Sequence, residues 1–317
     1  MKTHFLIILM LMVIQTIAQA SVVTLTNGAL EVGVAPDLGG RVVFIRKSGT
    51  EGMILSDRRI WKDPSFVAPE VKDVPEFYPF NGITLWVGPQ SGWWKDQSYS
   101  PELKAKNPGW PPDPFAEQGR FKIVKQTKDY IEMIGPESPV TGLQLYKTVQ
   151  ILPDGKVKLG FTATNIRTKP VWWDLWVNIR STPHATASVK VKSPDDVRIA
   201  SSPSDERDAL ITEYKEGVFS ILPVMPTEGK KARGGKVFID PETSEIVATY
   251  KDMRMTIRFD KVSKELMHPE QAPVELYSHL SAVPDPALEL LELEFHGPYS
   301  AFPPGGSKTI ECTIELE

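Results

Sequence analysis

Leu143-Gln144-Leu145-Tyr146-Lys147-Thr148-Val149-Gln150-Ile151-Leu152-Pro153-Asp154-Gly155-Lys156-Val157-Lys158-Leu159-Gly160-Phe161-Thr162-Ala163-Thr164-Asn165 is the stretch on which the fold turns. Both arms repeat with period two, the spacing at which successive side chains of a strand point to opposite faces. Between them, Leu152-Pro153-Asp154-Gly155 carries the Pro, Asp and Gly of a tight reversal. Residues 143–165 therefore read as one long hairpin of two strands, 143–152 and 156–165.

The same pattern extends outward in both directions. Period-two or β-branched runs occur at 21–26, 29–34, 41–46, 120–126, 129–134, 171–179, 246–250, 254–260, 274–278, 288–296 and 308–315. No comparable helical stripe exists, and 28 prolines in 317 residues argue against long helices and for short strands joined by structured loops. The Pro- and Trp-rich stretch 61–118 and the polar stretch 200–235 read as excursions from a β-framework. There is no internal repeat and no linker with a break in composition. The expected fold is all-β, one large antiparallel β-sandwich domain over residues 21–317. Stacked sheets of this size can leave one concave face open as a ligand cleft.

Composition narrows the function classes. Hydrophobic residues at 41% and charged residues at 24% describe an ordinary globular chain. The balance of 36 Lys+Arg against 40 Asp+Glu excludes the basic footprint of a nucleic-acid binder. Residues 1–20 read as a signal peptide: Lys2 and His4 precede the apolar run Phe5 to Ile14, and Ala18-Gln19-Ala20 supplies a small-x-small cleavage site. Ten apolar residues fall short of the roughly 20 that span a bilayer, and no later segment qualifies. Cleavage after Ala20 into a periplasm or the exterior is expected. Cys312, the only cysteine, excludes an internal disulfide and a lipidated cleavage site, and within Thr309-Ile310-Glu311-Cys312-Thr313-Ile314 it reads as a small buried hydrophobe.

Aromatic residues give the first functional signal. Trp61, Trp86, Trp93, Trp94 and Trp110 fall in one region, and Trp172, Trp173 and Trp176 in another. Residues 82–94, Gly-Ile-Thr-Leu-Trp-Val-Gly-Pro-Gln-Ser-Gly-Trp-Trp, read as looping backbone that presents indoles to sugar C–H surfaces or caps the core with them. In Val171-Trp172-Trp173-Asp174-Leu175-Trp176-Val177-Asn178-Ile179-Arg180, alternation places Trp172, Asp174, Trp176, Asn178 and Arg180 on one face and Trp173, Leu175, Val177 and Ile179 in the core. The first set is either a sugar-binding wall or a solvated sheet face with a local ion pair. Near the C-terminus Leu291, Leu293 and Phe295 alternate with Glu292, Glu294 and His296. Two carboxylates and an imidazole on one strand face suit proton transfer, because like charges and burial raise carboxylate pKa values; the competing reading is again a solvated face.

A family resemblance joins these observations. Leu25-Thr26-Asn27-Gly28-Ala29-Leu30-Glu31-Val32, followed by Pro36-Asp37-Leu38-Gly39-Gly40-Arg41, resembles the opening of galactose-mutarotase-like proteins. Leu291-Glu292-Leu293-Glu294-Phe295 with Gly297-Pro298-Tyr299 and Pro304-Gly305-Gly306-Ser307 resembles the Glu-bearing strand and Pro-Gly turn near the end of that superfamily. Trp86-Val87-Gly88-Pro89-Gln90 and Trp110-Pro111-Pro112 are similar to a bacterial branch known only as a domain of unknown function.

The resemblance implies a β-supersandwich with a concave carbohydrate site and, for active mutarotases, a Glu base paired with a His acid. Glu292 matches the base best, with Glu294 in reserve. For the acid, Asn178-Ile179-Arg180-Ser181-Thr182-Pro183-His184 offers His184, displaced from the family spacing, with His279 and His296 as alternatives; His268 reads as an exposed loop residue. Arg41, Trp86, Gln90, Trp93, Trp176, Asn178 and Arg180 are the expected substrate-binding residues, although Arg41 could instead brace the Gly-Gly turn against a nearby acid.

Other chemistries leave little trace. The chain has no His-x-x-His or Cys-x-x-Cys pair and no Gly-x-Ser-x-Gly elbow. Gly229-Lys230-Lys231-Ala232-Arg233-Gly234-Gly235-Lys236 lacks P-loop spacing and reads as a solvated loop. Glu292 and Glu294 are too few for calcium, so neither metal nor cofactor is expected. Three functions stay open: a secreted protein binding a mono- or oligosaccharide, with aldose 1-epimerase activity in reach; a true epimerase, or a lyase or hydrolase acting on polysaccharide; and a noncatalytic accessory module using its Trp-rich loops as a protein interface.

Overall fold

The Leu143–Ile151 and Val157–Asn165 strands pair antiparallel, with Leu143 opposite Asn165 and Ile151 opposite Val157. Gly155, at φ +82°, makes the reversal that the Pro-Asp-Gly sequence implies. The computed structural model describes residues 22–72, 74–200, 207–227, 229–283, 285 and 288–317. The expected leader, residues 1–20, lies outside the described residues.

The hairpin belongs to a ten-stranded sheet in the order Ile211–Lys215, Val218–Leu222, Thr186–Lys190, Glu245–Tyr250, Met253–Phe259, Ser307–Leu316, Val157–Asn165, Leu143–Ile151, Tyr130–Glu137 and Lys122–Gln126. A second, eleven-stranded sheet has the central order Arg41–Lys47, Ile83–Gly88, Val171–Ser181, Leu290–His296, Val274–Leu280 and Ala232–Ile239. The fold is an all-β sandwich, and the apolar faces of its two sheets bury one another. Leu85, Val177, Ile179, Leu291, Leu293 and Leu276 of the second sheet share one buried cluster with Val149, Leu159, Phe161 and Ile314 of the first. The rings of Phe259 and Phe295 stack between the sheets at 4.6 Å. Each such side chain contributes about 1.5–3 kcal/mol on burial. A one-residue slip of Leu290–His296 would send Glu292, Glu294 and His296 into this core, so the apolar face fixes the register. Cys312 is buried in the same layer, and burial pushes its thiol pKa up, as befits an inert side chain.

Two expectations are corrected. The stretch 61–118 is not wholly an excursion: Ile83–Gly88 is a strand with every residue buried, seated between Arg41–Lys47 and Val171–Ser181. Trp86 therefore stands in a strand, and only the Pro89–Gly92 turn beyond it loops. A strand covered on both faces loses the polar half of its alternation, which is why the pattern was absent. The stretch 200–235 likewise contributes the Ile211–Lys215 and Val218–Leu222 hairpin and the start of Ala232–Ile239. Among the described residues no helix is long and apolar enough to cross a membrane.

Candidate functional site

The outer face of the eleven-stranded sheet carries the chemistry, arranged in rows that cross the strands. Lys236, Tyr277, Glu292 and Arg180 are successive register partners on four neighbouring strands. Two residues along, Phe238, Glu275, Glu294, Asn178 and Thr84 form a second row. His296, Trp176 and Trp86 form a third. Residues of one row lie within contact reach, so strand pairing alone assembles these groups from distant parts of the chain.

Loops raise walls around this floor. Phe77 and Pro79, Gln90 and Trp110, and Glu270 and Gln271 close a cleft of about 610 Å³, a size suited to a small ligand. Its lining includes Trp86, Trp176, Arg180, Lys236, Glu275, Tyr277, His279 and Glu292. The indoles of Trp86 and Trp176 meet edge to face at 5.1 Å and 88°. The Arg180 guanidinium lies 4.9 Å over the Trp86 ring, and the Lys236 ammonium 5.0 Å over the Trp176 ring, cation–π contacts that position both charges.

Beneath the cleft lies a buried polar network. Glu294 Oε1 accepts hydrogen bonds from Trp176 Nε1 and Asn178 Nδ2, both at 2.9 Å, while its Oε2 pairs with Lys236 Nζ. Lys236 Nζ also sits 3.0 Å from Glu275 Oε2. Glu292 Oε1 accepts from Arg180 Nε at 3.0 Å and Asn178 Nδ2 at 3.1 Å. His296 is fully enclosed, with Nδ1 3.5 Å from Asp174 Oδ1 and Nε2 3.6 Å from Glu275 Oε1, an ion-pair contact too long for a hydrogen bond. Arg180 Nη1 and Asn178 Oδ1 are buried without a hydrogen-bond partner among the described residues. The solvated-face alternative for both strands is thereby excluded: Asp174, Asn178 and Glu294 are each 0% exposed.

Electrostatics follow from three carboxylates sharing few cations. Burial pushes the Glu294 carboxyl up to about 7, with Lys236 opposing and Glu292 and Glu275 adding to the rise. Burial works against the Lys236 ammonium, but Glu294, Glu275 and Glu292 outweigh it and hold its pKa above the ordinary range. Burial also opposes the His296 imidazolium, yet Glu275, Asp174 and Glu294 raise its pKa overall. Burial raises the Tyr277 phenol, Arg207 lowers it and Glu292 raises it. The arrangement can thus hold a neutral phenol beside Glu292 in the cleft floor, above a Glu294 carboxyl that titrates near neutral pH.

The expected site residues divide into those lining the cleft and those behind it. Trp86, Gln90, Trp176, Arg180 and Glu292 line it. Glu294 and Asn178 lie just beneath and hold the floor. Trp93 is buried behind, stacked on Trp176 at 6.2 Å. Arg41 is fully enclosed away from the cleft: its Nε donates to Leu38 O and its Nη2 pairs with Glu117 Oε2 at 3.0 Å, so it braces the Gly39-Gly40 turn. His184 is exposed and does not line the cleft; its ring lies 6.2 Å from Tyr250 of the other sheet. Of the alternative imidazoles, His279 lines the cleft and His296 lies under it.

Lys236, Glu275 and Tyr277 were not singled out from sequence. Glu275, Tyr277 and His279 alternate along Val274–Leu280 and obey the same period-two rule as Glu292 and Glu294. The basic run 229–236 is corrected from a solvated loop: Ala232–Ile239 is a strand, and Lys236 at its middle pairs with buried carboxylates. Among the described residues no group of three or more His, Cys, Asp or Glu side chains is arranged to hold a metal ion.

A family model described as a domain of unknown function (DUF4380) matches residues 20–315. No curated protein matches the chain in sequence. Among solved structures, the Slr1438 protein from Synechocystis sp. PCC 6803 is similar at 12% identity and a TM-score of 0.57, over 95% of this chain and 97% of that one. A galactose mutarotase-like protein from Lactobacillus casei ATCC 334 is similar at 11% identity and a TM-score of 0.54, over 94% and 100%. The GalM/aldose epimerase homologue from C. elegans is similar at 10% identity and a TM-score of 0.54, over 94% and 99%. At such identities the likeness is one of fold, and the fold is galactose mutarotase-like.

Proposed function

The chain belongs to the DUF4380 family, and from that premise we propose that it is an exported carbohydrate-binding protein whose cleft also interconverts sugar anomers. The observation that carries this reading is the first row of the floor: Glu292 stands between Tyr277 and Arg180 on adjacent strands, in a cleft also lined by Trp86, Trp176 and the exposed indole of Trp110. Indoles supply apolar surface for the C–H face of a pyranose, and carboxylate, phenol and guanidinium supply acceptors and donors for its hydroxyls.

For anomer exchange one group takes the anomeric O–H proton and another supplies a proton to the ring oxygen. The ring then opens, rotates and closes on the other face. Glu292 is the acceptor in this reading. Its two hydrogen bonds fall on Oε1, so Oε2 is the oxygen that meets the sugar. Tyr277, its register partner, is the donor. Glu294 and Lys236 act through Asn178 and the floor rather than on the sugar.

The protein-interface alternative calls for an exposed aromatic patch. Trp86, Trp93, Trp94, Trp173 and Trp176 are instead buried, and the exposed Trp110 and Trp172 belong to different hollows.

Proton NMR with freshly dissolved single anomers of aldoses and uronic acids tests the reading, recording saturation transfer and anomer exchange together. The expected result is saturation transfer to ring protons, weakened in Trp110→Ala, with accelerated exchange that disappears in Glu292→Gln and Tyr277→Phe while binding persists. Saturation transfer without exchange removes the catalytic half; no saturation transfer from any mono- or oligosaccharide overturns the proposal.

A further inference from the structure

A second hollow of about 550 Å³ lies beside the first. Two loops wall both. In the Pro89–Gly92 turn, Gln90 faces the first cleft while Ser91 and Gly92 face the second; in the 268–271 loop, Glu270 and Gln271 face the first and His268 the second. The side-chain hydrogen bond from Ser91 Oγ to Glu270 Oε1, at 2.7 Å and between exposed residues, ties the two loops together across the divide.

Both hollows take lining residues from the Val171–Ser181 strand, Trp176 and Arg180 in the first and Trp172 in the second. Trp172 shares its strand face with Trp176 and Arg180, and Trp176 lies four residue steps along the strand from Trp172, about 13 Å. That span exceeds a single pyranose ring. Trp172 is 56% exposed although Asp174, Trp176, Asn178 and Arg180 on the same face are buried. Its ring is tilted 39° against Tyr299 at 6.0 Å, and Tyr299 in turn meets the His268 ring edge to face at 4.9 Å. An open, braced aromatic platform is what stacking on a sugar ring requires.

The hollow is also cationic. Lys95, Arg167 and Lys169 line it against one acid, Asp96. Arg167 is built into the wall, donating to Asp96 O, Pro139 O and Val140 O, while Lys95 and Lys169 are exposed. In the first cleft, by contrast, Arg180 and Lys236 are paired with Glu292, Glu275 and Glu294.

We propose that the two hollows form one extended site for an acidic oligosaccharide, with a sugar in the first cleft and a neighbouring residue bearing a carboxylate or sulfate stacked on Trp172 between Lys95 and Lys169. This rests on the carbohydrate reading of the first cleft and adds the length and charge of its ligand.

Calorimetric titration of the purified protein with oligogalacturonates of one to four residues, heparin-derived oligomers of matched length and neutral cello-oligomers tests it. In the wild type the tetramer of one acidic series binds roughly tenfold more tightly than its monomer. Trp172→Ala returns it to the monomer value without changing monomer affinity, and Lys95→Gln with Lys169→Gln removes the preference for acidic over neutral oligomers. The galacturonate and heparin series identify the anion as carboxylate or sulfate. Monomer binding with no gain in length, or a gain that survives Trp172→Ala, overturns the extended site and leaves the first cleft standing. Equal gains for neutral and acidic series overturn the charge assignment, and failure of every sugar, monomers included, overturns both readings.

Discussion

Lys236 Nζ lies 3.0 Å from Glu275 Oε2 and bridges from there to Glu294 on the next strand. One ammonium thereby compensates two carboxylates that strand pairing forces side by side. Like charges directly opposite each other destabilise a sheet, so this cation is a condition for the floor of the cleft to exist.

Lys236→Met should consequently destabilise the protein by about 3 kcal/mol at pH 8, the cost of leaving buried charge uncompensated. The cost should shrink in acid. Glu294 already has its pKa raised from 4.5 to about 7, so the native state binds more protons than the unfolded state within that window. Stability from this group is full below 4.5 and falls as pH rises towards 7; without Lys236 the dependence steepens. Urea midpoints at pH 5 and pH 8 check this, and an equal penalty at both would refute it.

Lys147 offers the opposite sign. It is fully buried, donates to Gly39 O at 2.6 Å and faces the Phe121 ring at 4.9 Å. Burial lowers its pKa to about 7, helped by Arg41 and opposed by Glu117. Between about 7 and 10.5 the unfolded state holds the extra proton, so stability rises with pH over that range. Lys147→Met should raise the melting temperature at pH 7, and the advantage should narrow at pH 10, where the folded wild-type amine is neutral and the unfolded one approaches its own pKa of 10.5. Thermal melts at the two pH values decide it; a methionine variant less stable at pH 7 would show that the Gly39 hydrogen bond outweighs the buried charge.

Much of the framework was legible because one face of most strands is covered and the other is not. The 143–165 hairpin and the alternations in 171–180 and 291–296 state their core face in their own side chains. Ile83–Gly88 escaped because all of its residues are buried, so no polar period survives. The site was legible only strand by strand. Alternation placed Glu292, Glu294 and His296 on one face, and Trp176, Asn178 and Arg180 on one face. It could not say that these faces adjoin, or that Lys236, in a basic run without apolar alternation, completes them. His184 illustrates the converse: a histidine near an expected sequence spacing turns towards the other sheet once the strand ends at Ser181.

Arg41 tests the difference between a binding and a bracing role. It pairs with Glu117 in a fully enclosed setting, and Glu117 Oε1 also accepts from Trp86 Nε1 at 2.6 Å. Arg41→Met should cost about 3–5 kcal/mol, as expected when one partner of a buried pair is removed, and Arg41→Met with Glu117→Gln should recover part of it. Sugar affinity of the double variant, measured by saturation transfer well below its melting temperature, should stay within a few-fold of wild type. A large loss of affinity with stability restored would return Arg41 to the binding site.

The two cleft histidines should titrate on opposite sides of the ordinary imidazole value. At His296 burial opposes the charged form, but Glu275, Asp174 and Glu294 surround it and raise its pKa above 6.5. At His279 burial acts first and the Arg207 guanidinium adds to it, against weaker help from Glu289 and Asp285, so its pKa falls below 6.5. Ring proton shifts followed by NMR, assigned with His279→Asn and His296→Asn, should give one midpoint on each side. The stability consequences differ in sign: the His296 contribution is full below 6.5 and lost as pH rises through its folded value, whereas His279 costs stability as pH falls below 6.5. His296→Asn should therefore lose more stability at pH 6 than at pH 9, and His279→Asn should gain relative to wild type at pH 5. If His296 instead titrates below 6.5, Glu275 and Asp174 do not hold it charged, and the ionic floor beneath Trp176 is not the one described.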